Sequence, residues 1–168
     1  MASDPEPLFS TDLISPDVLK ALPEGYTCRP LQRSDYQAGF LDVLGVLTTV
    51  GNVTEEMWNE RYDWMKRRSD EYYLLCIQDG NGKLVGTGAL VVERKFIHTC
   101  GLVGHIEDIA VTKDQQGKKL GLRLINALDF VAHKLGCYKT ILDCSELNEG
   151  FYVKCGFKRA GLEMAHYF

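Results

Sequence analysis

Three stretches carry side chains suited to chemistry. The first is Gln116-Gly117-Lys118-Lys119-Leu120-Gly121, set between an apolar run and a helical pattern. A glycine-bearing turn at a helix N-terminus leaves backbone N–H groups unpaired and aimed at one spot, with the helix dipole behind them. That arrangement attracts an anion. Lys118, Lys119 and Arg123 add positive charge. An ordinary strand-to-helix turn with a solvated basic tip would use the same residues. The second stretch is the acid pair Glu107-Asp108, which interrupts the apolar Ile106, Ile109, Ala110 and Val111. In a regular strand each face would receive one of these carboxylates. A charge in a strand covered on both sides is costly unless it is paired or used. The third is Tyr152, four residues after Asn148 in a short helical stretch, so the two share a face. A phenol with a reference pKa of about 10 can donate a proton at neutral pH. As a packing aromatic it would instead lie against Phe151 and Phe157.

These groups need elements to position them. Leu120, Leu124, Ala127, Leu128, Val131 and Leu135 fall on one face of a helix that Gly136 can cap. The run before it predicts a buried strand. Upstream, residues 1–22 read as a loose, proline-bearing arm able to dock a short helix started by Ser15-Pro16. Gly25 to Leu31 predicts a strand. Ser34-Asp35 offers a cap for a helix through Phe40, Val43, Leu44 and Leu47, and Thr54 caps another through Met57, Trp58, Tyr62 and Met65. Tyr72–Ile77 and Lys83–Glu93 flank Asp79-Gly80-Asn81-Gly82 as a hairpin. After the central helix come a strand over Tyr138–Asp143, a short helix over Ser145–Cys155, and a last strand from Phe157. The expected class is α/β (mixed α+β): an N-terminal arm, residues 1–22, then one domain, residues 23–168, with helices on both faces of a sheet.

Composition narrows the function classes. The chain has 168 residues, 45% hydrophobic and 25% charged, enough for a substantial core. A net charge of -4 argues against general nucleic-acid binding. With no apolar run of about 18 residues, a transmembrane helix is not expected. MASDPEPLFS lacks the basic and apolar regions of a signal peptide. Cys28, Cys76, Cys100, Cys137, Cys144 and Cys155 contain no CxxC pair and read as reduced, buried thiols of an intracellular protein. No His/Cys spacing suggests a metal. His133 reads as solvated and His105 as packed within its strand.

Together, HIEDIAV…QGKKLG and CYKTILDCSELNEGFYVKCGF resemble the GNAT superfamily of N-acetyltransferases. LTTVG at 47–51, ERKFIH at 93–98 and GHIEDIAV at 104–111 resemble its eukaryotic, fungal-like glucosamine-6-phosphate N-acetyltransferases, over about residues 24–168. The superfamily's turn is Gln or Arg, two residues, Gly, one residue, then Gly or Ala. Gln116 and Gly121 match it, and Lys119 replaces the middle glycine.

The resemblance implies a GNAT fold, a mostly antiparallel mixed sheet with flanking helices, that takes acetyl-CoA as co-substrate and needs no metal. Its cofactor-binding residues would be Ile109, Ala110, Val111, Gln116, Gly117, Lys118, Lys119, Leu120, Gly121, Leu122, Asn148 and Tyr152. A bulge in the Glu107–Asp108 strand would free N–H groups for the acetyl carbonyl. Glu107 or Asp108 would lie on the amine's proton path. Asp143 would lie near the sugar or its amine, and Tyr152 would protonate the leaving CoA thiolate. Thr48, Lys95, Phe96, Ile97, His98, Tyr138 and Lys139 would join Glu107, Asp108 and Asp143 around the sugar phosphate. The implied reaction is direct acetyl transfer, without an acyl-enzyme, to the 2-amino group of glucosamine 6-phosphate, on the route to UDP-N-acetylglucosamine. The implied protein is a cytoplasmic homodimer with shared sites; as composition already indicates, no nucleic acid partner and no membrane span are expected. Another acceptor (a peptide, polyamine or aminoglycoside) or a non-catalytic acyl-CoA-binding module would keep the same fold.

Overall fold

The computed structural model describes residues 6–168. The first five residues of the expected arm lie outside the described residues. One sheet runs in the order β1-β2-β3-β4-β5. β1 (Thr27–Pro30), β2 (Tyr72–Gln78), β3 (Leu84–Arg94) and β4 (Leu102–Val111) pair antiparallel, and β5 (Cys137–Ile141) lies parallel to β4. The β2–β3 hairpin turns where expected. Asp79 Oδ1 accepts the N–H groups of Asn81 (2.9 Å) and Lys83 (3.0 Å), an Asx-type turn that Gly82 completes at φ +79°.

The helices are α1 (Pro16–Ala21), α2 (Phe40–Leu44), α3 (Glu55–Lys66), the single turn α4 (Ile97–Cys100), α5 (Leu120–Lys134) and α6 (Glu146–Lys154). Ser15 and Thr54 cap α1 and α3 by accepting from Val18 and Met57. Parallel strands cannot be joined by a tight turn, and α5 is the crossover between β4 and β5. It buries Leu120, Leu124, Ile125, Ala127, Leu128, Val131 and Ala132 against the sheet, the predicted stripe widened by its neighbours, except that Leu135 falls at the C-cap and is only partly buried. Each such Leu or Val contributes about 1.5–3 kcal/mol over exposure. β2 is buried continuously from Tyr73 to Ile77 and β3 from Leu84 to Leu90. Unbroken burial means that both faces of the central strands are covered.

Three expectations change. In the region read as a loose arm, Leu8, Phe9, Ile14 and Val18 are buried in the core. The helix expected after Ser34-Asp35 is instead a 3-10 turn over Arg33–Tyr36 followed by the short α2. Asp35 turns inward rather than capping a long helix. It is 1% exposed and accepts Arg29 Nη1 (2.8 Å), Arg29 Nη2 (2.7 Å) and the Gln32 N–H (2.7 Å). The last strand, from Phe157, is absent. A strand exists only where a ladder partner runs beside it, and among the described residues nothing pairs with 157–168. Leu162, Met164, Tyr167 and Phe168 therefore stay exposed.

Candidate active site

β4 and β5 pair only as far as His105 and Ile141, although β4 continues to Val111. Their ladder thus ends before β4 does. The turn into α5 and the loop into α6 both follow the C-terminal ends of these two strands. Parallel α/β sheets place their ligands at this kind of crevice.

β4 is bulged at the crevice. Thr87 pairs with Ala110 and Ala89 with Glu107, so Asp108 and Ile109 together oppose Gly88. Asp108 takes φ +53°. A bulge leaves backbone groups unpaired and re-aims side chains. It also breaks the expected one-acid-per-face alternation: Glu107 and Asp108 are both exposed, neither buried in the sheet. A Cβ on Gly88 would meet Ile109 Cδ1 at 2.6 Å, so the glycine makes room for the bulged residue. Glycine within an apolar strand is itself a bulge signal in the sequence. Although exposed, the Glu107 carboxyl is partly desolvated, which pushes its pKa up from its ordinary value, and the neighbouring Asp108 and Asp143 push it further. The expected acids therefore share one electrostatic neighbourhood. Glu163, unflagged by the sequence, joins it from the C-terminal segment.

The turn before α5 is a row of free donors. Gly117 (φ +86°) and Lys119 (φ +62°) both take the left-handed conformation, with Lys119 at the helix N-cap. Among the described residues no acceptor takes the N–H groups of residues 117–122. Successive N–H groups curled in this way form an anion nest. The lysine in place of the family's middle glycine is tolerated, at a cost of about 1–2 kcal/mol for a left-handed side-chain residue. Lys118 Nζ donates to Gln115 Oε1 (2.7 Å) and to Tyr26 Oη (2.8 Å), and Tyr26 Oη donates to Gln115 Oε1 (2.5 Å). Neither Tyr26 nor Gln115 stands out in the sequence, because Tyr26 lies 89 residues from Gln115 and 92 from Lys118.

Asn148 and Tyr152 both lie on α6. The Tyr152 ring packs edge-on to Phe151 (5.0 Å between centroids) and Phe157 (6.3 Å), so packing fixes the ring. Its hydroxyl has no partner among the described residues. Burial raises the phenol's pKa above its ordinary value and keeps it protonated at neutral pH. A cavity of about 440 Å³ brings Tyr152 together with Lys139, Asp143 and Cys144.

The residues expected at the sugar phosphate fall into separate groups. Thr48 lines a different depression, formed by Leu41, Asp42, residues 45–53 and Lys113. Lys95 is paired with Glu93 (2.7 Å), which also meets His105 Nε2 (2.8 Å). His105 is thus half-exposed and bonded rather than packed within the strand. Phe96 is 96% exposed and Ile97 is also exposed. His98, Thr99 and Cys100 all take left-handed φ angles of 52–57°, a strained turn closed against Tyr138, whose ring lies 4.5 Å from that of His98. Non-glycine strain of this kind clusters at functional sites. Lys139 lies over the Tyr138 ring at 5.7 Å.

The cysteines divide. Cys28 and Cys76 are buried, and burial pushes the Cys28 thiol up to about 12 and raises Cys76 as well. Cys100 and Cys144 are exposed, against expectation, because Cys100 ends the single turn α4 and Cys144 lies in the loop before α6, neither inside the sheet. Among the described residues no group of three His, Cys, Asp or Glu side chains could hold a metal ion, and no helix is long and apolar enough to cross a membrane.

Residues 32–157 match the acetyltransferase (GNAT) family. A glucosamine 6-phosphate N-acetyltransferase of Candida albicans is 50% identical, the match covering 85% of this chain and 96% of that protein. Its counterpart in Dictyostelium discoideum is 44% identical, with 86% and 92% covered. The crystal structure of the Arabidopsis thaliana glucosamine-6-phosphate N-acetyltransferase superposes with a TM-score of 0.83 at 38% identity, over 85% of this chain and 98% of that one. The bulged strand, the free-donor turn and these likenesses converge: the chain belongs to the GNAT acetyltransferases and, within them, to the glucosamine 6-phosphate N-acetyltransferase family.

Proposed function

We propose that this protein transfers acetyl from acetyl-CoA to the 2-amino group of glucosamine 6-phosphate, by direct attack in a ternary complex. The observation that supports this reading is the bulge at Asp108–Ile109 in β4, the strand whose C-terminal end leads into the free-donor turn before α5. The N–H groups of residues 117–122 receive the pyrophosphate, and the bulged backbone at Ile109, Ala110 and Val111 receives the acetyl carbonyl. Asn148 holds the CoA arm. The neutral amine's lone pair attacks the thioester carbon, and the C–S bond breaks as the tetrahedral intermediate collapses. Glu107 or Asp108 takes the amine's proton, directly or through water, with Asp143 orienting the amine. Tyr152 delivers its proton to the thiolate.

Lys95, His98 and Lys139 supply cations for the sugar phosphate, with Thr48, Phe96, Ile97 and Tyr138 shaping the pocket. The protein works as a homodimer, and Tyr138 and Lys139 serve the partner's site. Supporting this are the exposed apolar side chains of Phe96, Leu162, Met164, Tyr167 and Phe168 and the edge strand β5. Six cysteines, none bonded to another, suit a reducing cytoplasm. The product, N-acetylglucosamine 6-phosphate, leads toward UDP-N-acetylglucosamine.

Thiol release from acetyl-CoA, with glucosamine 6-phosphate and plain glucosamine compared side by side, tests the acceptor. Fast release is expected only with the phosphorylated sugar. Equal release with both would remove the phosphate pocket, and release with neither would move the search to peptide and polyamine amines. A second expectation concerns pH. A base must be deprotonated to act, and the Glu107 pKa is raised by partial desolvation and then by its acidic neighbours. The acidic limb of kcat/KM for the sugar should therefore lie above the ordinary glutamate range. In Glu107→Gln only the limb set by the substrate's own ammonium should remain, with kcat down about a hundredfold. An unmoved limb would assign the proton path to Asp108.

A further inference from the structure

We propose that Tyr26 and Gln115 are positioning residues that hold the Lys118 ammonium at the rim of the anion nest, ready for the phosphate groups of acetyl-CoA. This rests on the reading of residues 117–122 as the pyrophosphate site. Three hydrogen bonds close a triangle: Tyr26 Oη to Gln115 Oε1 (2.5 Å), Lys118 Nζ to Gln115 Oε1 (2.7 Å) and Lys118 Nζ to Tyr26 Oη (2.8 Å). The lysine also lies 5.3 Å from the Tyr26 ring centre. Both oxygens that accept from Lys118 are neutral. Its charge is therefore fixed in place without being cancelled, unlike that of Lys95, which a carboxylate holds.

An exposed lysine ordinarily loses side-chain freedom when it binds an anion. Here that loss is already incurred in the folded protein, and the third ammonium N–H is left to donate. The anchor is firm because the Tyr26 ring packs against the hydrophobic core. Its backbone N–H is bonded to the Pro23 carbonyl (3.0 Å), and Gly25 makes the tight entry at φ +81°. The segment ahead of β1 is thereby tied to a turn 92 residues later. Lys119, next in the turn, has no partner among the described residues. The two neighbouring lysines thus differ: one is preset and one is free.

The test is calorimetric titration of the full chain with acetyl-CoA, for wild type, Tyr26→Phe, Gln115→Leu, Lys118→Met and the double variant Tyr26→Phe/Lys118→Met. Tyr26→Phe and Gln115→Leu are expected to weaken binding about threefold, and Lys118→Met about tenfold. The double variant should bind like Lys118→Met alone, because the tyrosine acts through the lysine. In Tyr26→Phe and Gln115→Leu kcat at saturating acetyl-CoA stays at the wild-type value, so their loss appears in KM for acetyl-CoA only. Losing one cation should also flatten the salt dependence in Lys118→Met, while Tyr26→Phe keeps the wild-type slope. Repeating the series with 3′-dephospho-CoA identifies the phosphate. If the Lys118→Met penalty vanishes, it is the ribose phosphate, and if the penalty persists, it is the pyrophosphate. Independent, additive penalties, or a Tyr26→Phe protein that binds like wild type, would overturn the proposal. Wild type that fails to bind acetyl-CoA would overturn the cofactor reading itself, a separate result.

Discussion

Replacing Tyr152 with phenylalanine is expected to lower kcat by at least about a hundredfold while leaving acetyl-CoA affinity unchanged. The substitution removes one hydroxyl and keeps the ring, so the contacts with Phe151 and Phe157 that fix it survive. Thermal stability should stay at the wild-type value. What is lost is the proton for the departing thiolate. Burial raises this phenol above its ordinary pKa, so the acid form is present throughout the neutral range. No other group among the described residues hydrogen-bonds the hydroxyl and competes for it. Steady-state kinetics with titration of acetyl-CoA separates the two effects. A Tyr152→Phe enzyme with normal turnover would leave the thiolate to be protonated by water and would return Tyr152 to a packing role.

The second large effect is on stability. Asp35→Ala should destabilise the protein by about 3–5 kcal/mol, the usual cost of breaking a buried pair from one side. For a domain of this size that lowers Tm by roughly 6–20 °C. Asp35 is 1% exposed, and its carboxylate accepts both Arg29 Nη atoms and the Gln32 N–H. Removing it leaves a guanidinium with a 17% exposed side chain and no counter-charge, facing the buried Cys28 and Cys76. The cost is chiefly that stranded cation. An Arg29→Met/Asp35→Leu protein, which removes both charges, should therefore recover most of the loss. Urea unfolding of the three proteins decides the point, and a double variant as unstable as Asp35→Ala would show that the packing geometry, not the charge, sets the cost.

The elements with strong local periodicity were legible in the residues alone. The α5 stripe, the Asp79–Gly82 hairpin and the caps at Ser15 and Thr54 depend on contacts within a few residues, so local pattern specifies them. The free-donor turn was legible for the same reason: a helix start leaves its own N–H groups unpaired wherever it occurs. Tertiary structure alone decided the rest. Whether Asp35 would cap a helix or enter the core depended on Arg29 of β1 lying beside it. The bulge that places Glu107 and Asp108 together depended on a cross-strand register with Gly88. The Tyr26–Lys118 contact joins residues far apart in the chain. A strand after Phe157 had the right residues but no neighbour to pair with, and a ladder needs two strands. Sequence therefore determined which groups this protein carries and which short elements hold them. Cross-strand register and long-range packing determined which of those groups meet, because both depend on the distances between segments once the chain has closed on itself.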